Sequence, residues 1–157
     1  MEPKIRSTVC TETPASVATA SSRTAGRNSR RIAAAADVAA EFADLETGDV
    51  SGAVQAYVNH YEKAGDLVVR NIQDESDPEI HSFVEHGRTA QRAGISRLFA
   101  PFLDPLADSH KARTVDLLVV AMDVYTWKRL RRDMGRSRPD TEVAMLALVN
   151  AILEVLP

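Results

Sequence analysis

The chain is poor in several things, and each absence narrows what it can be. Among 157 residues there is one cysteine, Cys10, so no intramolecular disulfide can form and the composition suits a reducing compartment. Aromatic residues make up 5% of the chain, which leaves core packing to aliphatic side chains and alanine. No apolar run reaches the roughly 18 residues of a membrane-spanning helix. The best candidate, residues 117–122, is closed off by Asp116 and Asp123. The opening residues lack the apolar stretch of a secretory signal. No Gly-rich phosphate loop, no nucleophile elbow and no pair of histidines four apart is present. His81 and Glu85 do stand four apart, but two groups do not make a metal site. A net charge of −3 argues against the protein as a whole being a polyanion binder. The expectation is a cytoplasmic protein that is not an enzyme, with no metal, no cofactor and no membrane partner.

That modest total hides an asymmetry. Residues 1–31 carry Lys4, Arg6, Arg23, Arg27, Arg30 and Arg31 against Glu2 and Glu12, a net of +4, so the remainder is acidic at −7. Residues 1–29 are Ser, Thr and Ala with scattered Arg and no periodicity, too little apolar surface to offset chain entropy, and disorder is expected there. The folded domain is expected over 30–157.

Within that domain the apolar pattern is helical. A short Ala-rich helix is expected from about Arg30. A long helix follows over about 49–74, with Val54, Tyr57, Val58, Tyr61, Gly65, Val68 and Ile72 on one stripe. Asp77 and Pro78 read as the cap and first position of the next helix, expected to run to about residue 103. Its ridge carries Gly87 and Gly94, each about 1 kcal/mol less favourable than Ala in a helix. Such glycines admit either a closely packed neighbour or a ligand. A third long helix is expected over about 110–134 and a last one over about 138–156. With no alternating Val/Ile/Thr-rich segment, the class is all-α, an antiparallel bundle of about four long helices.

The last two helices are apolar over an unusually wide arc. Residues 143–156 hold only Asn150 and Glu154 as polar groups. A helix apolar nearly all round must be covered on two sides, and about four helices are too few to cover both. A second copy is expected to supply the cover, the last two helices pairing with their mates as a four-helix bundle with Leu146, Val149 and Leu153 at the interface.

Between these helices lie six cations in eleven positions: Lys128, Arg129, Arg131, Arg132, Arg136 and Arg138, next to the only tryptophan, Trp127. A nucleic-acid surface is one reading. The other is local. Cations complement a helix C-terminus, Gly135 suits a left-handed cap, and Ser137 with Asp140 suits a helix start. The local reading is favoured, with Trp127 pointing inward. For binding chemistry, Tyr57, His60 and Tyr61 form the most suggestive cluster, either as core or as part of an apolar pocket between helices.

Three stretches, "GDVSGAVQAYVNHYEKAGDLVVRNIQDE", "FVEHGRTAQRAGISRLFAPFL" and "RTVDLLVVAMDVYTWKRLRRDMGRSRPDTEVAMLALVNAIL", resemble the C-terminal domain of TetR-family transcriptional regulators over about residues 45–156. The most specific part is "DVYTWKRLRRDMGRSRPDTE". The resemblance implies an all-helical domain that binds a small, apolar ligand and dimerises through its last two helices. The candidate ligand-lining residues are then Tyr57, His60, Tyr61, Phe83 and Gly87. It also implies a helix-turn-helix at the amino terminus, and nothing in residues 1–44 matches that pattern. The expectation is therefore a truncated, ligand-sensing regulator domain without its own DNA-binding domain. Its partner would be a second copy or a full-length relative, and it would bind no specific DNA by itself. Two alternatives are a regulator that binds DNA through the basic amino-terminal segment and, more remotely, a small helical enzyme.

Overall fold

The computed structural model describes Phe42 and residues 44–156. The chain divides into two units, Met1–Ala35 and Ala36–Pro157, and only the second contains described residues. The expectations of a disordered basic opening, of a helix from Arg30 and of DNA contacts by the amino-terminal segment lie outside them. Among the described residues the fold is all-helical with no strand.

The first helix, α1 (Val50–Gln73), starts where Asp49 accepts a hydrogen bond from the Gly52 N–H at 2.9 Å. Gly48 precedes it at φ +90°, a left-handed conformation that favours glycine, and its N–H donates to the Leu98 carbonyl at 2.8 Å. This bond ties the entrance of α1 to the end of the second helix. The buried face of α1 includes Val54, Tyr57, Val58, Tyr61 and Gly65 from the expected stripe, with Ala53, Val69 and Asn71 added.

Helix α2 (Pro78–Leu98) begins as its sequence requires: Asp77 caps through the Glu79 N–H at 2.9 Å and Pro78 takes the first position. It stops at Leu98 rather than near 103, and a separate turn, α3 (Ala100–Leu103), follows. Only Val84, Ile95 and Leu98 of α2 are buried. Of its two ridge glycines, Gly94 lies 3.6 Å (from an added Cβ) from the Tyr57 hydroxyl, whereas an added Cβ at Gly87 meets nothing within 4 Å. Of the two, only Gly94 has a packed neighbour.

The expected third helix over 110–134 is three pieces. Helix α4 (Asp108–Ala121) ends at Met122, and Asp123, in extended backbone, caps α5 (Val124–Lys128) through the Tyr125 N–H at 2.8 Å. A π-helical turn, Arg129–Asp133, continues from α5. The break is stable because the carbonyls it frees find donors. The Met122 carbonyl accepts from the Tyr61 hydroxyl at 3.0 Å and from Gln91 Nε2 at 3.3 Å, and the Val120 carbonyl from Thr126 Oγ1 at 2.7 Å. Gly135 (φ +64°) then reverses the chain, with the Arg136 N–H bonded to the Leu130 carbonyl at 2.9 Å. Ser137 caps α6 (Arg138–Glu154): its hydroxyl accepts from the Asp140 N–H and donates to the Asp140 carboxylate.

Helix α1 is the hub, packing on α2, α5 and α6, while α4 packs on α2 and α6. Trp127, Phe99, Ile95, Leu98, Leu103, Leu118, Met122 and Met145 are the largest fully buried side chains. Trp127 sits directly over Gly65, where an added Cβ would lie 2.5 Å from the indole Cζ3. The missing side chain at 65 is what lets the indole lie against the α1 backbone.

Candidate functional site

Tyr57, His60 and Tyr61 do come together on α1, joined by Phe42. Ring centroids are 4.6 Å apart for Phe42–Tyr57, 6.2 Å for Phe42–His60, 6.1 Å for Tyr57–Tyr61 and 5.4 Å for His60–Tyr61. The Tyr61 ring continues the series to Trp127 at 6.0 Å. Both phenols are buried and both are engaged. Tyr57 donates to the Gln91 carbonyl at 3.5 Å, and Tyr61 donates to the Met122 carbonyl and accepts from Gln91 Nε2. Burial pushes both phenols above their ordinary pKa. Arg97 opposes the shift at Tyr57, while Tyr57 and Asp123 add to it at Tyr61. They therefore act as neutral hydrogen-bonding groups that hold α1, α2 and the α4–α5 break together. Phe83 is half-buried on α2, and Gly87 is exposed. The structure thus draws three of the five expected ligand-lining residues into one cluster and leaves Gly87 on the outside. Among the described residues no group of three or more His, Cys, Asp or Glu side chains is placed to hold a metal.

Four of the six cations of 128–138 pair with three carboxylates within the chain. Arg131 grips Glu62 through Nε at 2.6 Å and Nη2 at 3.0 Å, and Arg132 grips Asp66 at 3.1 and 3.0 Å. Lys128 meets Asp133 at 2.8 Å, with Arg129 at 3.5 Å from the same carboxylate. Arg138 bonds Asn59. These arginines bridge to α1 rather than only closing their own helix, a role invisible in the local sequence. Trp127 is fully buried as expected, with its indole N–H on Glu62 at 2.9 Å. It is not remote from the arginines, however: the Arg132 guanidinium lies 4.7 Å from its ring centre on the outer face. The arginine hydrogen bonds hold Glu62 and Asp66 below the ordinary carboxylate pKa.

Seven large hydrophobic residues are exposed among the described residues. The large exposed hydrophobic residues are Leu117 and Val120 on α4, Tyr125 on α5, Met134 after the π-turn, and Val143, Leu148 and Val155 at and beyond α6. All of them lie after residue 116. Val120 is 65% exposed, Val143 68% and Val155 77%. A shallow groove of about 370 Å³ lies in this region, lined by Tyr125, Thr126, Arg129, Leu130 and Leu148.

Helix α6 divides the three residues expected at a dimer interface. Thr141, Met145 and Val149 form its inward row at four-residue spacing, and Val149 is fully buried within the chain. Val149 is therefore core and not a contact for a partner. Leu146 and Leu153 are half-buried and pack against the same core. The outward row holds Val143, Ala147, Leu148, Ala151 and Val155. Because α6 is apolar on both rows, periodicity could not tell them apart.

No protein-family model, curated protein or solved structure matches this chain.

Proposed function

We propose that this chain is the dimerisation module of a TetR-like transcriptional regulator, whose α4, α5 and α6 meet the same elements of a second copy. The observation that carries the reading is the concentration of large exposed apolar side chains on those three helices and the turns beside them. Burying such a face is the dominant favourable term in association. The face is isologous in this proposal: the same residues serve both protomers, as a two-fold dimer requires. The neutralised arginines fit this role as well. Arg131 and Arg132 hold α5 and the π-turn firmly to α1, and their charge is met by Glu62 and Asp66 rather than offered to a phosphate backbone.

Ligand sensing belongs to the same proposal. The half-buried Phe83 and the sparsely buried first half of α2 lie on the helix that supplies Gln91 to Tyr57 and Tyr61. A small apolar ligand entering between α1 and α2 would compete with those two phenol contacts and so act on the α4–α5 break.

Sedimentation velocity over about 1–100 μM protomer tests the dimer. A dimer that Leu148→Glu dissociates, with helical content retained, is expected. A wild-type chain that stays monomeric throughout that range would end the proposal.

A further inference from the structure

The π-turn has a cause on the opposite helix. Trp127 and Arg131 both donate to Glu62 Oε1, at 2.9 and 2.6 Å, and being four apart they share a face in any α-helix. Arg132 is five residues from Trp127, a separation that in an α-helix places it about 140° around the axis. Yet its guanidinium lies over the same indole, 4.7 Å from the ring centre, and holds Asp66 through two nitrogens. The wider turn removes the conflict. Its backbone bond joins the Met134 N–H to the Arg129 carbonyl, five residues back, at 2.9 Å. Glu62 and Asp66 are one turn apart on α1, so a single row of carboxylates meets two consecutive arginines.

We propose that the Glu62–Arg131 and Asp66–Arg132 pairs form a latch by which the position of α1 sets the helical form of residues 129–133. With α1 seated, the turn is π-helical. With α1 displaced along its axis, the two pairs lose register and the turn relaxes to the narrower α-helical form. Such a relaxation rotates everything that follows Arg129 relative to α5. Leu130 would then leave the groove it forms with Tyr125, Thr126, Arg129 and Leu148, and Met134 would move on the exposed face. Helix α1 also carries the Tyr57–His60–Tyr61 cluster, so any group that shifts α1 there acts on the apolar face through the latch. The link to the face rests on the dimer proposal above; the latch itself does not.

The experiment uses the full chain with Glu62→Gln and Asp66→Asn together, which keeps side-chain size and removes both charges. Hydrogen exchange is followed at the amide of Arg136, which closes the wide turn on the Leu130 carbonyl; in the α-helical form that carbonyl takes the Met134 N–H instead. Exchange about tenfold faster or more at Arg136 is expected, with protection at Met134, Met145 and Val149 retained. Wild-type exchange at Arg136 overturns the latch. Should the double variant lose protection throughout α6, Arg132→Lys decides instead. It keeps the charge but not the two-nitrogen grip or the stacked guanidinium, and unchanged exchange there overturns the latch equally. The dimer dissociation constant is read on the same samples and is expected to rise about tenfold. Faster exchange with an unaltered dissociation constant overturns the link to the face. A monomeric wild type overturns the dimer proposal instead and leaves the exchange result to decide the latch.

Discussion

Replacing Gly65 with alanine sets two effects of known size against each other. In the middle of a helix the change is intrinsically favourable by about 1 kcal/mol, because glycine loses more backbone freedom on folding. At position 65 the added methyl would lie 2.5 Å from Trp127 Cζ3, 2.8 Å from Cη2 and 2.9 Å from Cε3. All three atoms are well inside the 3.5–4.0 Å of a relaxed carbon contact. About 1 Å of movement is needed, and the indole has nowhere to go. Its N–H is held by Glu62, Arg132 covers its outer face, and Trp127 has no exposed surface. Overpacking of this kind costs about 1–3 kcal/mol, and loosening the indole hydrogen bond adds roughly 1 kcal/mol. Clash outweighs propensity, and a net loss of about 1–3 kcal/mol is expected. Gly87→Ala is the matched control, since a Cβ there meets nothing within 4 Å and only the propensity gain of about 0.5–1 kcal/mol remains. Urea unfolding at one fixed protomer concentration measures both, with fluorescence of Trp127, the only tryptophan, as the probe. If Gly65→Ala is as stable as the wild type or more so, the packing of Trp127 on α1 is not as described.

The two rows of α6 should respond oppositely to the same change. Val149→Glu buries a carboxylate and is expected to abolish folding by circular dichroism, whereas Leu148→Glu leaves the fold intact and alters only sedimentation. Asp123 caps α5 from a site whose burial raises its pKa above the ordinary value, opposed by the Tyr125 and Val124 N–H groups and Arg88. A raised folded-state pKa makes the charged form less favourable in the fold. Asp123→Asn, which can still cap, is thus expected to keep or gain stability at pH 7, with the gain shrinking as the pH falls through the carboxylate range; a clear loss at pH 7 would contradict the assignment. Glu62 and Asp66 have the reverse sign. Their folded pKa values are lowered, first by hydrogen bonds from Arg131 and Arg132, so their contribution is present above the ordinary carboxylate range and disappears as the pH falls through the lowered values. In the wild type an acid-induced loss of Arg136 amide protection is therefore expected only below about pH 4, and not between pH 5 and 8.

Local signals in the sequence were sufficient for the helix boundaries that depend on local chemistry. Asp77 and Ser137 cap helices, Pro78 opens one, and Gly135 reverses the chain, because each of these acts through its own backbone or a neighbour within three residues. The all-helical class, the buried stripe of α1 and the inward Trp127 follow from period and composition in the same way. Where residues far apart in the chain decide, the sequence was silent. The break after Ala121 falls where Asp123 closes an apolar run, but it is stable because Tyr61 and Gln91, about 60 and 30 positions earlier, donate to the carbonyl it frees. Gly65 and Gly87 look alike in the sequence; one lies beneath an indole and the other faces outward. Arg131 and Arg132 look like the end of a helix until α1 brings Glu62 and Asp66 beside them. Composition determined that α6 is apolar nearly all round and would need cover on two sides. Only tertiary packing decided which row α1 and α4 cover, because two rows of equal hydrophobicity are distinguished by what lies next to them, and neighbours are set by the fold.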